Sequence, residues 1–281
     1  MYNARIETKD GKSIDLGFEY GVVFDISPLS GIDVDIATSQ SFQQVGESVE
    51  NTSVLGLTRE INGVIFADEK KIYDKLSTVF SAFSSGKIYI GDRYCDFTTA
   101  KTPFFVREKT GRLSFSLLIY CPYPFWLDKN TNEYIFGEAD PAFSFPVVYD
   151  THTFGIINPI SAKNCYNSGD VKKPMTIEFS SPKGGTVTNF GIRNLRTGKF
   201  LKINQSISFD DTVLIYQEGG KLHIETTRNG ETFNNIRNLA EYSTLFELET
   251  GDNVLMPFAD EGIEYLGFSI KFNPAYTGVF V

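Results

Sequence analysis

Leu113-Ser114-Phe115-Ser116-Leu117-Leu118-Ile119-Tyr120-Cys121-Pro122-Tyr123-Pro124-Phe125-Trp126 decides how the chain is read. Leu113, Phe115, Leu117, Ile119 and Cys121 recur at every second position, which puts them on one face of a strand. Pro122 and Pro124 then end that strand, since each fixes φ and lacks an N–H donor. Polar sequence follows in Asp128-Lys129-Asn130-Thr131-Asn132-Glu133. A domain boundary is expected there, dividing the chain into 1–130 and 131–281.

Upstream, the same period continues. Val22 to Ile26 reads as a strand ending at Ser27-Pro28. Ile32, Val34 and Ile36 alternate with Asp33, Asp35 and Ala37 after the Ser30-Gly31 turn. From Thr38 to Thr58 the chain is mostly polar. That is long for a connection inside a compact domain, and such loops are usually functional. It reads as an exposed hairpin or as an arm reaching a neighbouring subunit, with Gly46 at its turn. Arg59 to Phe66 returns to strand character. Asp68 to Ser84 is the one expected helix. Asp68 is placed as its N-cap, Ile72, Leu76, Val79, Phe80 and Phe83 as its apolar face, and Gly86 as its stop. Lys87 to Tyr94 and Pro103 to Val106 are further strands.

Downstream, short strands alternate with turns. Met175–Phe179, Thr186–Arg193, Lys199–Ile203, Ser206–Phe209, Thr212–Tyr216, Leu222–Thr226 and Tyr265–Phe272 are the candidates. Gly184-Gly185, Thr197-Gly198, Gly219-Gly220 and Asn229-Gly230 mark turns between them. Many short strands with regular turns predict a β-sandwich. No longer repeat signals a solenoid. The 25 Phe and 14 Tyr agree, because aromatic side chains suit pleated, half-buried surfaces. The expected fold class is thus predominantly all-β with one α-helix.

Charge and composition remove several functions. The net charge of -9 and the absence of a dense Lys/Arg cluster argue against sequence-specific nucleic-acid binding. No apolar run is long enough for a membrane helix, and no basic stretch leads into an apolar leader, so neither membrane insertion nor secretion is expected. Cys95, Cys121 and Cys165 are sparse and odd in number, which suits buried thiols better than a disulfide framework.

Catalytic chemistry finds little support. His152, expected in a loop, and His223, on a strand, are the only histidines, and no nucleophile elbow is present. Asp33 with Asp35, and Glu249 with Asp252, lack the spacing of a calcium loop. Gly184-Gly185 and Gly219-Gly220 lack the residues of a phosphate loop. Glu225, Glu261 and Glu264 are the carboxylates a sandwich glycosidase would need. No enzyme activity, metal or cofactor is expected. A carbohydrate-binding adhesion module contacting host cell-wall glycan is the alternative, with Tyr216, His223 and Phe233, beside Asn234 and Asn235, as contacts.

The order of several segments between about residues 15 and 127 resembles the N-terminal domain of siphophage distal tail (Dit) proteins, also found in prophage and phage-tail-like bacteriocin tails. These are Ser30-Gly31-Ile32-Asp33-Val34, Gln43-Gln44-Val45-Gly46, Thr58-Arg59-Glu60-Ile61-Asn62-Gly63-Val64-Ile65, the helix from Asp68, Lys87-Ile88-Tyr89-Ile90-Gly91-Asp92, and the segment ending in Trp126. The resemblance implies a split β-barrel belt domain with one helix, followed by a galectin-like β-sandwich. It implies a virion structural protein at the tail tip, assembled in the host cytoplasm. Six copies would form a ring between the tail tube protein and the tail-associated hub or lysin protein, with a receptor-binding protein as a further partner. Gln43, Gln44, Gly46 and Arg59 are the residues placed at the oligomer or tube interface.

Overall fold

In the computed structural model, residues 2–137, 139–140, 156–157, 162–218, 221–244 and 246–280 are described. The chain divides into two units, residues 1–130 with 275–281, and residues 131–274. Unit 2 begins at Thr131, inside the polar run of residues 128–133. Residues 275–281, expected with the second domain, belong to the first unit.

Unit 1 is built on β1 (Ala4–Thr8), β2 (Ser13–Leu16), β3 (Val22–Ser27), β4 (Val34–Ser39), β5 (Ser48–Val54), β6 (Leu57–Ile65), β7 (Ser85–Ile90), β8 (Arg93–Arg107), β9 (Leu113–Cys121) and β10 (Trp126–Asp128). Its main sheet runs β2-β1-β7-β8-β9-β6-β3, antiparallel throughout. β2 and β3 end the path, so the sheet is open. β8 changes register twice between Thr99 and Phe104, and such bulges bend a strand. The alternating residues of β9 lie on the core side, with Phe115, Leu117, Ile119 and Cys121 buried against Ile61 and Ile65 of β6.

The helix α1 spans Glu69–Val79 and buries Ile72, Leu76 and Val79. It is shorter than expected at its end. Phe80 leaves helical geometry, Ser84 Oγ donates to the Val79 carbonyl at 2.6 Å, and Phe83 is 96% exposed at φ 66°. Phe83 therefore does not belong to the apolar face. Asp68 occupies the N-cap position in a left-handed conformation without a side-chain cap. Gly86 is not a helix stop. It lies in β7, where a Cβ would come within 2.0 Å of the Glu7 carbonyl oxygen on β1.

Unit 2 contains β11 (Asn132–Phe136), β12 (Ala139–Asp140), β13 (Ile156–Ile157), β14 (Lys163–Asn167), β15 (Thr176–Ser180), β16 (Val187–Asn194), β17 (Phe200–Ile207), β18 (Thr212–Glu218), β19 (Lys221–Arg228), β20 (Glu231–Asn234), β21 (Gly251–Glu261) and β22 (Gly267–Phe272). A six-stranded sheet runs β11-β22-β15-β18-β19-β20, a four-stranded one β14-β21-β16-β17, and β12 pairs with β13. One apolar cluster draws residues from both larger sheets. Phe179 of β15 meets Phe190 of β16 at 5.0 Å and Phe268 of β22 at 5.7 Å. This is a β-sandwich in which the Phe179–Phe190 contact crosses between the layers and the Phe179–Phe268 contact lies within one of them.

β23 (Ala275–Tyr276) then pairs with β10 of unit 1, Leu127 opposite Ala275. Arg93 lies 3.6 Å from the Tyr276 ring centroid and donates to the Gly278 carbonyl. Unit 2 is thus an insertion between two neighbouring strands of unit 1.

Candidate functional site

The segment expected as a polar loop or arm is an antiparallel ribbon, β4–β5, which pairs with no other strand among the described residues. Every residue of both strands is exposed. Its register puts Val34 opposite Val54, Ile36 opposite Thr52, and Thr38 opposite Val49 past a bulge. Opposed residues share a face. One side of the ribbon is therefore apolar, with Ile36 54% and Val49 62% exposed. The other side carries Asp35, Ala37, Asn51 and Ser53. Gln43 (φ 63°) and Gly46 (φ 85°) turn the tip, where Gln44 bonds to Ser41 and Ser48 and Phe42 and Val45 stand in solvent.

Arg59 is not on this surface. It is completely buried, contrary to its expected place at an interface. Its guanidinium donates to the Pro28 carbonyl and, at 2.8 Å, to the Pro124 carbonyl, and lies 4.8 Å from the Trp126 ring centroid. Trp126 Nε1 donates to Leu29 O at 2.9 Å. The arginine ties the β6 strand to two proline-bearing turns, a role suited to a rigid planar fork.

A second surface lies on the outer side of β3-β6-β9-β8. One row across these strands reads Val23, Val64, Ser114, Val106; the next reads Asp25, Asn62, Ser116, Phe104. They line a shallow groove of about 460 Å³. Phe104 is 59% and Val106 46% exposed. The strand and turn that border it, residues 101–112, hold Lys101, Arg107, Lys109 and Arg112 against one acid, Glu108. Arg107 pairs with Glu69 at 2.8 Å.

The residues expected to contact glycan do not converge. Tyr216 and His223 are opposite one another and stack at 4.9 Å, and the Tyr216 hydroxyl donates to Glu225 at 2.9 Å. That hydrogen bond, with a smaller contribution from burial, raises the Tyr216 phenol above its ordinary range. Phe233 pairs with Thr226, whereas Asn234 pairs with Glu225. By the period of a strand, Phe233 lies on the opposite face from Tyr216 and His223. His152 falls outside the described residues.

The carboxylates singled out in the sequence have other partners. Glu249 pairs with Lys172 at 2.9 Å, and Asp252 accepts from Asn164 at 2.6 Å. Glu261 ends β21 in solvent, and Glu264 sits in a short 3-10 turn. All three cysteines are free and buried, as their spacing suggested. Burial, slightly offset by Lys163, pushes the Cys165 thiol up to about 12. Sequence reading missed β21 altogether. Its ends are acidic, it contains Pro257, and its buried face includes Asn253, whose side chain serves Glu249 and Gly251 carbonyls.

Residues 168–276 match the family model described as siphovirus-type tail component, C-terminal domain. Among solved structures, the Dit protein of phage SPP1 matches with a TM-score of 0.62 at 12% identity, covering 96% of this chain and 98% of that one. A chain of the phage P2 baseplate, in its activated conformation with calcium, gives a TM-score of 0.48 at 14% identity, covering 96% and 98%. No curated protein matches the sequence. The family model falls within unit 2 and its return to β23, the resemblance read from the sequence falls in unit 1, residues 168–276 are thus similar to a siphovirus-type tail component, and the chain shares the fold of the SPP1 Dit protein.

Proposed function

We propose that this chain is the ring subunit of the distal tail. Copies close head to tail into a hexamer that joins the tail tube to the tail-associated hub protein at the virion tip. The role is scaffolding, with no catalytic step and no cofactor. The observation that carries this reading is the tail-component match over residues 168–276 within a Dit fold. Unit 1, with the features the resemblance assigns to a belt, forms the ring. Unit 2 is the galectin-like platform for a receptor-binding protein. A head-to-tail interface closes into a ring when its rotation permits. The alternative, a glycan-binding module, lacks a converging set of contacts among the described residues of unit 2.

Light scattering after size exclusion, with negative-stain imaging, tests the ring. Co-purification tests its neighbours, the tail tube and hub proteins. Hexameric rings that retain both are expected. A strict monomer that retains neither would overturn the reading.

A further inference from the structure

Two surfaces of unit 1 lie open at once, and they match. The β4–β5 ribbon has an apolar side that is exposed along both strands among the described residues. A two-stranded hairpin is marginal in water by itself and gains order by laying its apolar side on another surface. The outer face of β3-β6-β9-β8 offers an apolar groove lined by Val23, Val64, Phe104 and Val106. Charge distinguishes this pairing from a ribbon meeting a ribbon. Residues 31–57 hold four acids, Asp33, Asp35, Glu47 and Glu50, and no base. Bordering the groove, residues 101–112 hold four bases and one acid. Two ribbons would repel one another, whereas ribbon and groove attract. Asp25 and Glu60 lie on the far strands of the face, which favours an approach along the β8 side.

We infer that the β4–β5 ribbon of one copy docks, apolar side down, in the β3-β6-β9-β8 groove of the next copy. Each copy then gives one ribbon and receives one, a heterologous contact that repeats around a ring. This rests on the ring reading above and adds to it which two surfaces meet.

The test uses full-length chains. Ile36→Cys and Val106→Cys are purified separately, mixed and oxidised; the three native thiols are buried and do not compete. A covalent dimer from the mixture, and from neither variant alone, is expected on a non-reducing gel. The double variant should give a ladder. Asp33→Lys with Asp35→Lys should weaken association about tenfold or more, and Lys109→Glu with Arg112→Glu in the same chain should recover it. An assembled oligomer that yields no mixed dimer overturns the docking and leaves the ring intact. Dimers from Ile36→Cys alone, with none in excess from the mixture, overturn it as well. A chain that stays monomeric at every concentration and forms no mixed dimer overturns both readings. The ribbon substitutions sit on exposed side chains, so an unchanged melting temperature excludes misfolding as the cause.

Discussion

Arg59 shows how far one residue departs from its appearance in sequence. In Thr58-Arg59-Glu60 it looks like a surface charge beside an arm. In the fold it is a buried hub whose guanidinium serves two carbonyls and lies over an indole. Nothing local in the sequence gives that, because its partners are 31 and 65 residues away. Removing it strands one buried and one part-buried acceptor, at about 1–3 kcal/mol for the buried one and less for the other. Arg59→Met should therefore lower unfolding stability by about 2–4 kcal/mol in urea titration. Arg59→Lys should recover only part, since an ammonium cannot reproduce the fork. Asp211 makes a second residue-level case. Burial pushes its carboxyl up, but Arg228 and the Ser208 N–H and hydroxyl outweigh this and hold it below the ordinary carboxylate range. Its stabilisation is fully present above about pH 4, the unfolded value, and is lost as pH falls through the lowered folded value. Melting temperature should drop across that acid window, and Asp211→Asn should flatten the drop while lowering stability at neutral pH.

At the scale of the element, alternation was the dependable signal. β9, β15, β18, β19 and β22 stand close to where their period placed them. Signals at element ends were weaker. Gly86 follows the helical pattern as a stop would, yet its task is to let β7 approach β1. Gly86→Ala should therefore destabilise unit 1 by roughly 1–3 kcal/mol, the usual cost of overpacking against backbone. Calorimetry that shows no loss would argue against that close approach. The ribbon was legible as something exposed, but its sidedness was not. A bulge between Ala37 and Thr38 shifts the register, so only the paired backbone shows that Val49 joins Val34 and Ile36. β21 was hidden for a related reason. Pro257 lies past the Lys163–Leu255 pair, where its missing donor breaks no bond to β14, so a residue that argues against a strand sits within one.

At the scale of the molecule, the predominantly β class with one helix could be read in the sequence. The return of β23 could not, because two residues carry no period. Yet Leu127 pairs with Ala275, Gly278 accepts from Arg93, and Val279 packs on the unit 1 core. Ending the chain after Pro274 should lower the melting transition of unit 1 and leave that of unit 2 in place. Two coincident, unshifted transitions would show that the return contributes nothing.

That return also orders events in time. A ribosome makes the first ten strands of unit 1 early, then the whole of unit 2, and only after residue 279 has emerged can the first unit be finished. A nascent chain that stalls anywhere in the insertion lacks the strand that pairs with Leu127. The fold thereby links completion of its earliest-made part to synthesis of a later one.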